Sequence, residues 1–383
     1  MPAGRAESPP SLAGRRIGLL TDYASRAGGG VAEAVAAQAA MIRREGGEAT
    51  IFCVEDPELA DDRARFGTSR LVSARRLGPA QIAFAPRMLA NLLDAGLDCL
   101  HLHGIWSHAT WAAKEWARRT GRPLIVSPHG MLDPWIVARN RWKKHLARGW
   151  YLREALARAR VLHALTLRES EDIRSERGRD DAVVIANAGP PADPPPGEVR
   201  APAILYLGRI HAKKNVLALV EAWTQLAPSG DARLAIAGWG AEADLAALRQ
   251  ALDGAPPSIR FLGPIFAEEK AQWLRAARFT ILPSLSEGMP LTVLESWAAG
   301  TPVILTAECN MPEGIAAGAA MDCGYDPPAI AAALTAALRQ SDADWLAMAH
   351  AAHRLAAGPF ALATIAGRWA ETYTSAITGP RPT

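Results

Sequence analysis

The sequence predicts an α/β protein made of two doubly wound parallel-sheet domains in tandem. Three observations lead there: short apolar runs alternate with helix-favouring stretches along most of the chain, a proline-rich segment breaks the alternation once, and the same alternation then restarts. A chain of 383 residues is too long for one ordinary core and suits two. Hydrophobic residues at 49% and charged residues at 21% are the composition of a soluble globular protein, and a net charge of only +3 argues against wholesale nucleic-acid binding.

Residues 1–15, rich in Pro, Ala, Gly and Arg, lack an apolar core of signal-peptide length and read as a flexible leader. Arg16–Thr21 reads as a buried strand, Ala27–Gly30 as a glycine turn, Val31–Arg44 as a helix and Ala49–Val54 as the next strand, which together make a βαβ unit. Strand character returns at Leu97–His103, Pro123–Ser127, Arg160–Leu165 and Val183–Asn187. Helices are expected at Ala109–Arg119 and Lys143–Arg160, so residues 16–187 form the first domain.

Ala188–Gly197 holds five prolines in ten residues, which excludes regular structure and makes 188–200 the expected linker. Strands follow at Ala203–Leu207, Ala232–Ala237, Ile259–Leu262, Phe279–Leu282 and Thr301–Leu305. Helices are expected at Val216–Leu226, Glu242–Leu252, Glu268–Ala277, Leu291–Ala299 and Ala329–Leu338, giving a second domain over 201–360. One last helical stretch, Asp342–Ser375, carries the chain on, with 361–383 expected to return to the first domain. Two such domains imply a cleft between the carboxyl ends of their sheets, where open α/β folds bind ligands.

The segment Ser284-Leu-Ser-Glu-Gly-Met-Pro-Leu-Thr-Val-Leu-Glu295 carries the strongest chemical signal. Glu287 follows a strand, Gly288 permits an unusual turn, and Met289, Pro290 and Leu291 lead into a helix whose exposed N–H groups and dipole suit an anion. Glu295 lies deeper in that helix, with seven residues between the two acids. Carboxylates accept hydrogen bonds from paired hydroxyls, so the two acids can hold sugar or ribose while the helix end receives phosphate. Set against this, an isolated pair of glutamates is more often a helix-start acid and a solvated helix residue.

The second signal is Leu205-Tyr-Leu-Gly-Arg-Ile-His-Ala-Lys-Lys-Asn215, where a strand runs into Gly208 and Arg209, and Lys214 precedes the next helix. A forked guanidinium and a mobile ammonium together neutralise a diphosphate without a metal. With Glu-x7-Glu and the two-domain layout, this pattern resembles glycosyltransferase family 4, of GT-B fold. The resemblance covers the chain from about Ile17 to the last helix.

That resemblance implies a retaining glycosyltransferase that needs no cofactor beyond its nucleotide diphosphate sugar substrate. It implies that Arg209 and Lys214 hold the donor diphosphate, that Glu287 contacts hydroxyls of the transferred sugar, and that Glu295 contacts the ribose. Ala237-Gly-Trp-Gly240 resembles the family's small-residue turn and adds Gly238 to the donor set. Asn215 departs from the family, which often has glycine there.

In the first half, Gly28, Gly29 and Gly30 sit between strand and helix, where glycine lets backbone approach a phosphate or acceptor. Similarity to the family loop adds Gly29 and Gly30 to the donor set. The absence of G-x-G-x-x-G counts against a nicotinamide dehydrogenase. His101-Leu-His-Gly-Ile-Trp106 and Ser127-Pro-His-Gly-Met-Leu132 both end strands. His129 resembles the family's cleft histidine and joins Arg209, Lys214 and Glu287 as a catalytic candidate. His103, Trp106 and Trp135 are assigned to the acceptor side, and no histidine has zinc-ligand spacing.

Arg139–Arg153 interleaves basic residues with Trp142, Trp150 and Tyr151. It reads either as a solvated basic face or as a surface that rests peripherally on the inner membrane near a glycan or lipid-linked acceptor. The stretches Ser127–Leu146 and Cys309–Gly314 resemble enzymes of bacterial exopolysaccharide and surface-glycan synthesis. Four scattered cysteines, no window of about 18 apolar residues and the resemblance itself imply a cytoplasmic protein with free thiols and no spanning segment. A nucleotide-sugar epimerase and a non-catalytic nucleotide-sugar-binding protein remain as alternatives.

Overall fold

The computed structural model describes residues 12–379 except 80, 81, 139, 140, 179 and 229, and except the side chains of Trp135, Arg141 and Lys143. Backbone proximity divides the chain into two units. One runs to Asn187 and takes up the chain again from Ala363; the other is Ala188–Leu362.

The first unit contains β1 (Arg16–Leu20), β2 (Glu48–Val54), β3 (Arg70–Ala74), β4 (Cys99–His103), β5 (Leu124–Ser127), β6 (Val161–Ala164) and β7 (Val183–Val184). They form one all-parallel sheet in the order β3-β2-β1-β4-β5-β6-β7. β4 and β5 are buried on both faces; β5 accordingly reads as an apolar run, whereas β4 also buries His101 and His103. Their residues join Phe52, Leu92, Trp116 and Leu156 in the core.

The second unit contains β8 (Ala203–Leu207), β9 (Arg233–Ala237), β10 (Ile259–Gly263), β11 (Phe279–Leu282), β12 (Val303–Leu305) and β13 (Ala320–Asp322). These are again parallel, in the order β10-β9-β8-β11-β12-β13. Tyr206, Trp223, Phe279 and Trp345 anchor its core. Both sheets are doubly wound, as the alternation predicts.

The differences from the sequence reading have local causes. β3 is an edge strand whose residues are mostly half-exposed, and β13 has three residues, so neither gives a sustained apolar run. A helix at Met88–Asp94 was also not anticipated. The stretch expected as one helix to Arg160 is Arg141–Ala147, a five-residue π turn at Arg148–Leu152 and Arg153–Arg158. Asp342–Ser375 is two helices, Asp342–Ala357 and Leu362–Thr378, separated where Gly358 and Pro359 interrupt the helical bonding. Most of the leader, residues 1–11, lies outside the described residues. Leu12, however, is buried and its N–H donates to the Glu45 carbonyl (3.0 Å), so the leader's last residues are packed.

The expected linker is irregular yet fixed to the second unit. Asp193 N–H donates to the Ala298 carbonyl at 2.8 Å. The Arg200 guanidinium donates to the carbonyls of Leu274 (3.2 Å), Ala277 (3.0 Å) and Ala299 (2.6 Å) and to Thr301 Oγ1 (2.5 Å). At the other end of the chain, Trp369 and Tyr373 of Leu362–Thr378 pack within the first unit against His101, with ring centroids 4.9 and 5.8 Å away. All four cysteines are free and buried.

Candidate active site

The second sheet winds outward in both directions from the pair β8 and β11, and the carboxyl ends of such a pair open a crevice. β8 runs out into Gly208 and Arg209; β11 runs out into the loop that bears Glu287. Gly238, just past β9, lies against Gly208: a Cβ there would sit 1.9 Å from the Gly208 carbonyl oxygen, so only glycine allows this approach. Ile210 N–H donates to the Trp239 carbonyl (2.7 Å), which keeps Arg209 on a braced turn with its side chain exposed.

Lys214 ends a 3₁₀ turn, Ala212–Lys214, and its Nζ donates to Glu287 Oε1; both side chains are mostly buried, at 17% and 8% exposure. The chain leaves this turn through Asn215 at φ 57°, a left-handed conformation that asparagine tolerates better than other residues with a Cβ. The departure from glycine therefore preserves the loop. Leu285 N–H donates to the Lys213 carbonyl (2.7 Å) and ties the two loops together.

Glu287 is also held through its backbone. Its N–H donates to the Glu308 carbonyl (3.0 Å), and Asn310 Nδ2 donates to its carbonyl (2.7 Å), which gives the Cys309–Gly314 stretch a positioning role. The helix Leu291–Ala298 starts from extended Pro290 with no side-chain cap, leaving first-turn N–H groups unclaimed by any capping side chain. Thr292 Oγ1 donates to the Leu207 carbonyl (3.2 Å), setting the helix start beside the end of β8. Glu295, further along the same helix, accepts from Lys270 Nζ at 2.7 Å.

Sequence reasoning missed Lys270, which sits among charges on Ala267–Ala276 and reads as part of a solvated face. It also missed an exposed aromatic pair, Trp239 and Phe266, whose ring centroids are 6.0 Å apart just past β9 and β10. Ser284 Oγ in the Glu287 loop is buried with no hydrogen-bond partner among the described residues.

In the first unit the winding diverges from β1 and β4. Gly29 (φ 56°, ψ −135°) occupies backbone space open only to glycine and precedes the uncapped helix Gly30–Arg44. A Cβ on Gly29 or Gly30 would meet nothing within 4 Å. Asp22, just beyond β1, accepts from Ser107 Oγ, and burial pushes its carboxyl up to about 6.

His103 ends β4, and its Nδ1 lies 2.9 Å from His129 Nε2, with stacked rings 5.1 Å apart. The other nitrogen of His103, Nε2, is buried without a partner among the described residues. Burial, followed by the neighbouring His163, drives His129 down to about 3, which favours its neutral imidazole near pH 7. Its backbone is left-handed at φ 56°, and Glu169 Oε1 secures the next residue by accepting from Gly130 N–H at 2.6 Å. Glu169, held up near 7 by burial, was not foreseen.

His101 belongs to the core: its Nδ1 meets Tyr373 Oη (2.7 Å) and its Nε2 meets Ser127 Oγ (2.7 Å). Trp106 Nε1 donates to the Met131 carbonyl (3.0 Å), and Lys144 Nζ lies 5.3 Å from the centre of its ring. The side chain of Trp135 lies outside the described residues. Among the described residues no group of three His, Cys, Asp or Glu could hold a metal ion.

Two family models match the two halves of this geometry. The glycosyl transferase 4-like domain matches residues 29–188, and the glycosyl transferases group 1 domain matches 201–340. The chain belongs to the family 4-like glycosyltransferases.

Relatives and solved structures agree with that membership. The D-inositol 3-phosphate glycosyltransferase of Frankia alni is 34% identical over 167 residues, a match spanning 40% of this chain and only 39% of that protein. The phosphatidyl-myo-inositol mannosyltransferase of Mycobacterium leprae is 27% identical over 314 residues, covering 76% and 78%. Anabaena HepE in complex with UDP and glucose superposes with a TM-score of 0.77 at 16% identity, covering 94% of this chain and all of that one. Sucrose-phosphate synthase from Thermosynechococcus elongatus gives 0.73 at 18%, covering 96% and 100%. The fold is GT-B.

Proposed function

We propose that the protein is a retaining, metal-independent hexosyltransferase that moves a sugar from a nucleotide diphosphate donor to a hydroxyl of a surface glycan or lipid-linked acceptor. The observation that carries this reading is the Lys214–Glu287 pair beside the uncapped start of Leu291–Ala298, where the chain leaves β8 and β11. A cation, an arginine and a helix start without a side-chain cap next to a buried carboxylate match a sugar diphosphate, which is anionic at one end and hydroxylated at the other.

In this scheme Arg209, Lys214 and the helix start stabilise charge on the departing diphosphate. Glu287 accepts from the sugar hydroxyls and Glu295 from the ribose. Gly238 and Gly288 admit close backbone approach, and Met289, Pro290 and Leu291 shape the helix entry. The exposed Trp239 and Phe266 offer a face for the base. Gly29, Gly30 and His129 are assigned to the donor and His103, Trp106 and Trp135 to the acceptor side, as the family resemblance implies. The acceptor hydroxyl attacks the anomeric carbon on the face the diphosphate leaves, and the departing phosphate oxygen takes its proton.

Thermal-shift titration with a panel of nucleoside diphosphates and nucleotide sugars tests the donor site, since a ligand at 100 times its Kd adds about 2.7 kcal/mol to stability. Transfer assays then use surface-glycan and lipid-linked acceptors, with inositol phosphate and phosphatidylinositol included because the relatives are named for them. Donor-dependent product in which the anomeric configuration is kept, formed in the presence of chelator, is the expected result. Conversion of donor without acceptor would identify an epimerase, and binding without turnover on any acceptor a non-catalytic binder.

A further inference from the structure

Outside the donor and acceptor residues, the largest unexplained feature is the outer ridge of the segment that runs through the π turn. Trp142 is 66% exposed, Leu146 62% and Trp150 70%. They follow one another at four-residue steps along Arg141–Ala147 and into the π turn Arg148–Leu152. A four-residue step over-rotates an α-helix slightly, whereas a π turn rotates less per residue. The turn therefore offsets the drift and keeps the three side chains on one ridge.

The opposite side of the same segment is anchored, with Tyr151, Leu152, Ala155 and Leu156 in the core. The ridge is thus held rigidly with its apolar side chains outward, an arrangement that costs solubility unless something covers it.

Charge says what covers it. Residues 139–153 contain six lysines and arginines and no acid, in a chain whose net charge is +3. Two large indoles and a leucine on a stretch rich in lysine and arginine, of which Arg148 pairs with Glu176, match the interface of an anionic bilayer: indole favours the headgroup level, while lysine and arginine attract acidic lipids. A protein partner covering the same ridge would need acidic residues arrayed around an apolar groove, whereas an anionic bilayer presents both without specific complementarity. Among the described residues no helix is long and apolar enough to cross a membrane, so contact made this way is with the surface.

We propose that Trp142, Leu146 and Trp150 form a docking ridge by which the first unit binds the surface of an anionic lipid bilayer. The inference does not depend on the assignment of the donor site.

The test is co-sedimentation of the full chain with vesicles of phosphatidylglycerol and phosphatidylcholine, and with phosphatidylcholine alone. The wild type is compared with the triple variant Trp142→Ser, Leu146→Ser, Trp150→Ser. The expected result is binding to the anionic vesicles that weakens with added salt, little binding to the neutral ones, and a loss of at least about tenfold in the variant. Circular dichroism and nucleotide-induced thermal shift should be unchanged in the variant, which separates docking from folding and from donor binding.

Absence of binding to anionic vesicles, or equal binding by the folded variant, would overturn the proposal. Sedimentation velocity decides the remaining rival: a concentration-dependent dimer of the wild type that the variant abolishes would make the ridge an interface between copies and sink the lipid reading.

Discussion

At the residue scale, Lys214 and Glu287 depend on each other unequally. Glu287 is the more buried, and deleting Lys214 leaves its carboxylate without its cation. Lys214→Ala should therefore lower stability by about 1–3 kcal/mol as well as activity. Arg209 is exposed and makes no ion pair among the described residues, so it can be removed without that penalty. Arg209→Ala should leave the denaturation midpoint unchanged while reducing kcat/KM by at least about 100-fold through lost charge stabilisation. Glu287→Ala should abolish transfer while leaving the fold intact. Steady-state kinetics beside urea denaturation checks all three, and near-normal turnover by Arg209→Ala or Glu287→Ala would refute the assigned roles. Arg209 and Glu287 were legible because each stands beside a glycine just past a strand, and Lys214 because it directly precedes the next helix in the same loop as Arg209. Lys270 and Glu169 were not, since their partners Glu295 and the Gly130 N–H are distant in sequence. Asp22 was hidden for the same reason: its environment is made by Ser107, from beyond another strand.

At the scale of elements, composition marked the proline-rich segment as irregular but said nothing about where its backbone would be tied down. Arg200 supplies that missing fact, because four acceptors from two stretches of chain converge on one guanidinium. Arg200→Ala should cost about 2–4 kcal/mol, measured by urea denaturation, since it orphans several carbonyls at once. A change within about 0.5 kcal/mol would mean that water replaces the guanidinium. The last helix poses a similar question. Tyr373 Oη sits between Gln38 Nε2 (3.0 Å) and His101 Nδ1 (2.7 Å), both buried. Tyr373→Phe removes only that oxygen and should cost about 1–3 kcal/mol, with nucleotide-induced stabilisation intact because every donor residue except Gly29, Gly30 and His129 lies on the other unit. Periodicity showed that this helix exists; its partners are set by tertiary structure.

At the scale of the whole molecule, each of the two units holds buried titratable groups. The first carries a buried chain in which His101, Ser127 and His163 are linked at 2.7 and 2.6 Å, and burial pushes the imidazoles of His101 and His163 down, His163 to about 4. An unfolded histidine titrates near 6.5, so below that pH the unfolded chain binds more protons than the folded one. Stability from His163 is thus complete above about 6.5 and is lost as pH falls toward 4, by roughly 3 kcal/mol at 1.36 kcal/mol per unit. Asp22 and Glu169 act in the opposite sense, because their raised values make the folded state bind more protons and recover stability on acidification. The wild-type pH profile alone therefore does not isolate the histidines, whereas its difference from a His163→Gln variant does. Unfolding of a two-unit chain need not be two-state, so the readout is hydrogen exchange in peptides covering β4, β5 and β6, with β8 and β11 as internal controls. Comparing the two proteins at each pH cancels the intrinsic dependence of exchange. The variant should lose less protection than the wild type in the first set between pH 7 and pH 4, and the controls should not separate them. Equal losses would mean that His163 is not held neutral by the fold, and the acid sensitivity would then have to come from elsewhere in the chain.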